Sequence, residues 1–215
     1  SSTGVKSVGS TLFDITQWNH YAGTYDGANI CIWVNGHPSN VTAMPTLATV
    51  NTPINFGYDP VSPGRCLNGS IADCRIYNTL LSQQEICAIM QERPINTSLQ
   101  RNIGKNLAVW WTLNEGNGSV LHDYSGNGRT LTLNNWPTWV YTAPNTSKCL
   151  RFESTKIQTA NTVTTFALGS DLGATTKLTV SAWIKSAATT WNTGNAGVTH
   201  RAQASAGAEY GFLLA

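Results

Sequence analysis

Apolar and polar residues alternate in short stretches along most of the chain, and this period of two predicts β-strands. Residues 18–25 alternate and end in an Asp-Gly pair, and residues 30–34 form a return stretch that ends in an Asn-Gly pair. Both pairs favour tight hairpin turns because Asn, Asp and Gly tolerate positive φ. Further strands are predicted over residues 54–58, 71–77, 107–113, 130–133, 149–152, 178–184 and 210–214.

One short helix is predicted after the strand at 71–77. Ser82 and Glu85 have the spacing of a capping box, and Pro94 closes the helix. Most of residues 37–66 and residues 186–209 are rich in small polar residues and are predicted to form loops. Many short strands with a single helical segment indicate an antiparallel sandwich of the jelly-roll kind.

Two sets of sequence phrases stand out along the chain. The first part contains WNHYAGTYDG, ICIWVNG and GSIADCRIYNTLLSQQEI, and the second part contains VWWTLNEGNG, HDYSGNGRTLTL, KCLRFES and KLTVSAWIK. The first set resembles the closing strands of laminin-G-like, concanavalin A-like domains, and the second set resembles their opening strands. The resemblance implies an all-β, antiparallel jelly-roll sandwich with one short helix.

The two sets stand in the reverse of the order found in such domains. We interpret residues 1–91 as a closing half, residues 92–106 as a polar linker and residues 107–215 as an opening half. The chain is then a permuted unit, one repeat of a tandem array, or a subunit whose halves complete its neighbours. Strand 71–77 is expected beside strand 149–153, because first and last strands are neighbours in similar domains. Whether they pair within one chain or between chains stays open.

Composition favours an extracellular protein. Charged residues make up only 11% of the chain, and the net charge of +2 does not indicate a surface that binds nucleic acid. No apolar run is long enough to span a membrane, and no leader segment is recognisable. A secreted protein with this sequence is therefore expected to be processed or excerpted.

Five Asn-X-Ser/Thr sequons support an extracellular location, and all lie in stretches expected to be loops or turns. The alternative is chance, because a chain rich in Asn, Ser and Thr produces sequons freely. The predicted glycosylation sites are Asn40, Asn68, Asn96, Asn117 and Asn145.

The five cysteines are odd in number, and none has metal-ligand spacing with His. In an oxidising compartment we expect two disulfides and one leftover thiol that pairs between subunits. The alternative is a buried free cysteine that packs as a small apolar residue. The candidates are Cys31, Cys66, Cys74, Cys87 and Cys149.

A glycine-rich loop over residues 123–128 carries the best candidate chemistry. Its alternating oxygen-bearing and glycine residues allow oxygens to converge on a hard cation such as Ca²⁺. In similar domains this loop and an acidic strand residue often hold a structural calcium ion. The family strand has two adjacent acidic positions; here Asp73 occupies the second, whereas Ala72 stands at the first. The predicted ligands are Asp123, Asn127 and Asp73. The alternative is a turn in which Asp123 bonds its own backbone.

Nothing in the sequence indicates catalysis. The 11 acidic residues are scattered, whereas glycan cleavage in such folds needs two carboxylates at one cleft. His20, His37, His122 and His200 are isolated, and His20 is expected to be a packed structural residue.

The eight tryptophans suggest sugar binding, since sugars stack on aromatic rings. Those within strand phrases are expected in the core, namely Trp18, Trp110 and Trp183. Those in loop-like segments are candidates for an exposed glycan platform, namely Trp136, Trp139 and Trp191. The alternative is that loop tryptophans cover the core.

Two functions remain from the sequence. The first is a non-enzymatic extracellular structural glycoprotein, a repeat or subunit of a head-to-tail fibrous assembly that binds copies of itself. The alternative is a glycan-binding or adhesion module of a secreted or cell-surface protein.

Overall fold

The alternating stretches form β-strands. The computed structural model describes residues 13–43, 55–57, 67–91, 103–144, 146–153, 159–162, 177–188, 196–203 and 208–214. The strands are β1 Asn19–Tyr25, β2 Asn29–Val34, β3 His37–Ala43, β4 Asn55–Phe56, β5 Gly69–Tyr77, β6 Leu107–Trp111, β7 Val120–Leu121, β8 Leu131–Asn134, β9 Thr138–Val140, β10 Cys149–Phe152, β11 Thr159–Thr162, β12 Leu178–Ser186, β13 Ala196–Gln203 and β14 Ala208–Leu214. The helix α1 spans Gln83–Gln91.

The strands make two antiparallel sheets. The larger sheet has the order β3-β2-β1-β12-β5-β10-β9, and β6 also pairs with β5. The smaller sheet has the order β14-β13-β4-β11-β8-β7. The all-β sandwich expected from the sequence is confirmed.

Strands from the two halves of the sequence alternate within the larger sheet. β12 lies between β1 and β5, with Ser181 opposite Ala22 and Ile184 opposite Ile71. β10 pairs with β5 and places Leu150 opposite Ile71, which confirms the expected neighbour. The described segments therefore pair within one chain.

The core lies between the two sheets. Side chains alternate along each strand, so one face of every strand packs inward. Phe56 of the smaller sheet meets Trp111 of the larger one edge to face, with 5.5 Å between ring centroids. Other large, fully buried side chains are Leu67, Ile71, Leu121, Leu131, Leu150 and Phe152.

The expectation that Trp18, Trp110 and Trp183 lie in the core is wrong. All three are half-buried, whereas Trp111 is completely buried. Val109 and Trp111 pack into the core, so the period of two turns Trp110 to the outer face of the sheet.

The helix α1 packs on the outer face of the larger sheet. Ile86 and Ile89 contact a small apolar cluster with Ala22 and Tyr77 of the sheet. Ser82 starts the helix, because its backbone N–H donates to Glu85 Oε2 (2.7 Å), and this confirms the capping box. No helix in the described ranges has the length and apolarity needed to cross a membrane.

Two stretches predicted as loops contain strands, so these predictions are wrong. Residues 37–43 form β3, which pairs with β2 across the Asn35-Gly36 turn. Residues 196–203 form β13, which pairs with β14 and β4. Cross-strand pairing decides the conformation where the intrinsic strand propensity is low.

Replacing Ser82 by Ala removes the hydroxyl that the backbone N–H of Glu85 reaches at 3.4 Å. We expect a loss of about 1 kcal/mol in the free energy of unfolding, measured by urea denaturation. The exposed Gln84→Ala variant is the control and should change little. Equal stability of both variants would show that the cap contributes nothing.

Candidate functional site

The glycine-rich loop connects β7 to β8 and is tied to β6 through one carboxylate. Asp123 Oδ1 accepts the backbone N–H groups of Trp110 (3.0 Å) and Ser125 (2.9 Å). Asp123 Oδ2 accepts the N–H of Arg129 (3.0 Å). Burial opposes ionisation of Asp123, but these N–H groups outweigh it and hold its pKa below the ordinary value.

The carbonyl oxygen of Ala108 is the second anchor of the loop. It accepts Ser125 Oγ (3.1 Å), Asn127 Nδ2 (3.0 Å) and Arg129 Nη1 (2.7 Å). Gly126 and Gly128 have φ of 87° and 71°, which allows the chain to curl around this oxygen. The loop is thus closed by side chains of its own.

A buried ion pair lies beside the loop on the outer face of the larger sheet. Asp73 has φ of 51° within β5, which is unusual for a residue other than glycine. Its carboxylate accepts Arg75 Nε (2.8 Å) and Nη2 (2.7 Å) and the indole N–H of Trp110 (2.7 Å). Burial disfavours the Arg75 cation, but the Asp73 carboxylate raises the pKa of Arg75 above its usual range.

Trp110 connects the predicted calcium ligands. Its backbone N–H reaches Asp123 and its indole N–H reaches Asp73, while the Arg75 guanidinium lies 4.7 Å from the centroid of its ring. This is a compact polar cluster with every carboxylate oxygen already engaged by an N–H donor.

These contacts do not fit a calcium ion as they stand, because calcium needs several oxygens that face it. Asn127 turns its amide nitrogen toward the carbonyl oxygens, and Asp73 already forms a two-bond pair with Arg75. Within the described ranges no group of three or more His, Cys, Asp or Glu residues has metal-binding geometry. Calcium binding by Asp123, Asn127 and Asp73 stays a prediction from the sequence, and the observed contacts favour its alternative, a turn in which Asp123 bonds the backbone.

His20 is packed on the same face. It is almost fully buried, and its ring meets Trp183 edge to face at 5.5 Å. Burial, with a smaller contribution from the Arg75 charge, lowers the pKa of His20 to about 3. Its Nδ1 has no hydrogen-bond partner, so His20 is a neutral packing residue, as expected.

The three candidate platform tryptophans have different environments. Trp136 has 82% of its surface exposed, at the corner between β8 and β9. Trp139 is half-buried and packs against the core, which is the alternative role. Trp191 lies outside the described residues.

The predicted glycosylation sites also differ. Asn117 and Ser119 are both exposed beside the glycine-rich loop. Asn68 is half-buried and its sequon ends at the buried Ser70, so this sequon is poorly presented in the folded chain. The backbone of Asn40 lies in β3, and Asn96 and Asn145 fall outside the described residues.

The cysteines in the described ranges, Cys31, Cys74, Cys87 and Cys149, are free thiols. Cys66 lies outside those ranges. Two bridges need four of the five cysteines, so the expected pair of disulfides is not formed here. Cys74 packs in the core, while burial raises the pKa of Cys149 to about 11, so neither thiol is activated.

Sequence reasoning missed Arg75 as the partner of Asp73, and it missed the contact of Lys148 with Tyr141. The spacing of Asp73 and Arg75 on a strand was a usable signal, because residues two apart share a face. Lys148 Nζ lies 5.7 Å from the centroid of the Tyr141 ring. That contact depends on cross-strand register, which local sequence does not reveal.

His20 makes the stability of the protein depend on pH. Its pKa is about 3 when folded and 6.5 in the reference state, so the unfolded chain binds more protons between these values. The contribution of neutral His20 is complete above pH 6.5 and is lost as the pH falls toward 3.

We therefore expect His20→Gln to flatten the fall in unfolding free energy below pH 6.5, measured by denaturant titration at several pH values. His122→Gln is the matched control, since 66% of the His122 side chain is exposed. A pH profile of His20→Gln that parallels the wild type would contradict this assignment.

The contacts around Asp123 also predict the response to chelation. We expect EGTA to leave Tm unchanged, because N–H donors already occupy both carboxylate oxygens of Asp123. A Tm that falls with EGTA and recovers with added calcium would show that an ion displaces these donors, since a ligand of the native state stabilises it.

One family model matches the chain. It is a laminin-G model described as the concanavalin A-like lectin/glucanases superfamily, and it matches residues 2–87. The matched segment contains the strands β1 to β5 and the start of the helix α1. No curated protein and no solved structure matches the chain. The first part of the chain, residues 2–87, is thus similar to the laminin-G-like, concanavalin A-like superfamily.

Proposed function

We propose that this protein is a non-catalytic carbohydrate-binding module of an extracellular protein. The similarity of residues 2–87 to the laminin-G-like, concanavalin A-like superfamily suggests a carbohydrate-binding or adhesion-type module. The observation that carries the proposal for this chain is that Trp136 is highly exposed on a strained backbone.

Trp136 combines exposure with backbone strain. Its φ is 55°, and the preceding Asn135 has φ of 56°. A left-handed conformation costs roughly 1–2 kcal/mol for a residue with a side chain. The residue before a proline normally adopts an extended conformation with negative φ, and Pro137 follows directly. Strain of this kind occurs preferentially at functional sites.

The surroundings of the exposed indole suit a sugar. Asn134, Asn135 and Thr138 are all exposed next to it, and none carries a charge. An aromatic face that stacks on the C–H side of a sugar ring, with amide and hydroxyl groups at its rim, provides both apolar contact and hydrogen bonding.

Three buried or partly buried carboxylates support a non-catalytic role. Asp73 is paired with Arg75, Glu85 caps the helix α1, and Asp123 holds the glycine-rich loop. Hydrolysis of a glycosidic bond needs two carboxylates that face one substrate. Each of these three instead bonds a group of the fold.

The intrachain pairing favours a binding module over a fibrous assembly. The reverse order of the halves had suggested that neighbouring subunits complete one another. β12 finds both of its partners, β1 and β5, in its own chain, which removes that reason for polymerisation. Head-to-tail self-association stays a prediction without structural support. The exposed sequon at Asn117 and the small share of charged residues (11%) support an extracellular location.

Trp136→Ala should reduce glycan binding by at least tenfold, because it removes the stacking face, which corresponds to about 1.4 kcal/mol. Binding is measured on a glycan array and then by calorimetry with the best ligand. Tyr124→Ala is the matched control, since Tyr124 is exposed (54%) in the glycine-rich loop. Absence of any glycan ligand, or equal losses in both variants, would overturn the proposal.

A second comparison tests the strain. Trp136→Gly and Trp136→Ala both remove the indole, but only glycine adopts positive φ without cost. We expect the glycine variant to be more stable than the alanine variant by about 1 kcal/mol in urea denaturation. The reverse order would show that Trp136 is not held in the left-handed region.

A further inference from the structure

We propose that the outer face of the larger sheet binds one ordered water molecule between His20 Nδ1, Ser181 Oγ and Trp183 Nε1. The three residues belong to the neighbouring strands β1 and β12, and the water molecule bonds all three. This inference goes beyond the proposed carbohydrate-binding function and does not depend on it, because Trp136 takes no part.

Strand register brings the three side chains together. His20 of β1 lies directly opposite Trp183 of β12, with 5.5 Å between the ring centroids. Ser181 is two residues before Trp183 and therefore lies on the same face of the sheet. Ala182, between them, packs in the core, which makes this face the outer one. Opposite and diagonal neighbours on one face lie within about 8 Å of each other, so one small molecule can contact all three side chains.

The polar atoms of this group need a partner. His20 Nδ1, Ser181 Oγ and Trp183 Nε1 are buried, and none of them has a hydrogen-bond partner among the described residues. The whole residues His20 and Ser181 are only 3% and 2% exposed. Buried polar groups are almost always hydrogen-bonded, because an unpaired one costs free energy. Three such atoms on adjacent side chains therefore indicate one shared partner that is small and polar.

An irregularity in β5 changes the spacing of the side chains beside this group. Ser181 lies opposite Arg75 and Trp183 lies opposite Ala72, so two residues of β5 face the single residue Ala182. A bulge of this kind bends the strand and redirects its side chains. The small side chain of Ala72 also leaves space beside the indole of Trp183.

The charges next to the site are balanced. Burial is the main cause of the low pKa of His20, about 3, and the Arg75 charge contributes to it, which places that charge near the imidazole. The Arg75 guanidinium is paired with the Asp73 carboxylate through Nε (2.8 Å) and Nη2 (2.7 Å). His20 is itself neutral. Because no net charge faces the site, a neutral molecule suits it better than an ion.

Water matches the donors and acceptors that are present. The indole N–H of Trp183 can only donate, the hydroxyl of Ser181 can donate and accept, and Nδ1 of neutral His20 accepts when the proton is on Nε2. A water molecule accepts the Trp183 N–H, donates one hydrogen to His20 and bonds the Ser181 hydroxyl with the remaining capacity. About three hydrogen bonds is the usual number for a buried water molecule.

A crystal structure of the chain, followed by a bromide soak, identifies the occupant. We expect one density peak at about 2.7–3.2 Å from all three atoms, and no anomalous bromide signal at that place. A bromide peak would show an anion site, and a side chain or backbone group bonded to the three atoms would show that the protein supplies the partner. Either result, or no density at all, would overturn the inference.

NMR tests the same site in solution. The sign of a ROESY cross-peak distinguishes contact with a bound water molecule from proton exchange. We expect the indole N–H of Trp183 to show the contact sign at the water frequency. The indole N–H of Trp111 is the internal control, since it is buried and donates to the carbonyl oxygen of Arg129 (2.6 Å). It should show no such peak.

Matched variants assign the partners of the water molecule. His20→Phe and Ser181→Ala each remove one partner, and both should reduce the Trp183 cross-peak to the level of Trp111. Ser186→Ala is the control on the same strand, because the Ser186 hydroxyl already donates to a backbone carbonyl oxygen (2.8 Å). It should leave the Trp183 cross-peak unchanged. An unshifted Trp111 indole resonance verifies that the core of each variant is intact.

Three NMR results would overturn the inference. The first is the absence of a Trp183 contact with water, and the second is a contact of equal intensity at Trp111, which would show general solvent penetration. The third is a cross-peak that persists unchanged in both His20→Phe and Ser181→Ala. The measurements on the unaltered chain decide the question even where a variant fails to fold. None of these results concerns Trp136, so glycan binding is tested separately.

Discussion

The fold depends on the hydrogen bonds along both sides of β12. A central strand has N–H and C=O groups directed to both neighbours, and each group that stays unpaired in the interior costs free energy. β12 bonds β1 through residues 178–184 on one side, and β5 through residues 179–186 on the other. Without it the hairpin strands β1 to β3 have no connection to β5. The larger sheet is continuous only because the later segment enters between two earlier strands.

That insertion also determines where the functional groups lie. The inner face of the larger sheet, with Trp111 and Phe152, is apolar and packs on the smaller sheet, so the charged side chains of its strands lie on the outer face or at the edges. At one place Asp73, Arg75 and Trp110 bond one another and form a closed, structural cluster. At the corner between β8 and β9, Trp136 stays exposed. The same sheet thus separates groups that hold the fold from groups available to a ligand.

Much of the fold follows from the sequence, because strong local signals agree with the tertiary contacts. The capping box at Ser82 and the pairing of Leu150 with Ile71 were predictable from a motif and from the resemblance. β3 and β13 were not, since their small polar residues become strands only through pairing. Trp110 and Trp111 differ by one position, and no local pattern shows which of two adjacent tryptophans faces the core. The contact of Lys148 with Tyr141 is likewise a product of register.

The account is tested most directly by isotope-filtered NMR on a mixture of labelled and unlabelled chains. The cross-strand pairs Ala22 with Ser181 and Ile71 with Ile184 bring backbone protons of the two segments together. We expect NOEs between these residues within labelled chains, none between labelled and unlabelled chains, and a monomer mass in the same sample. NOEs found only between chains would show that β12 is inserted into a neighbouring molecule, which would contradict the intrachain sandwich and restore the fibrous assembly.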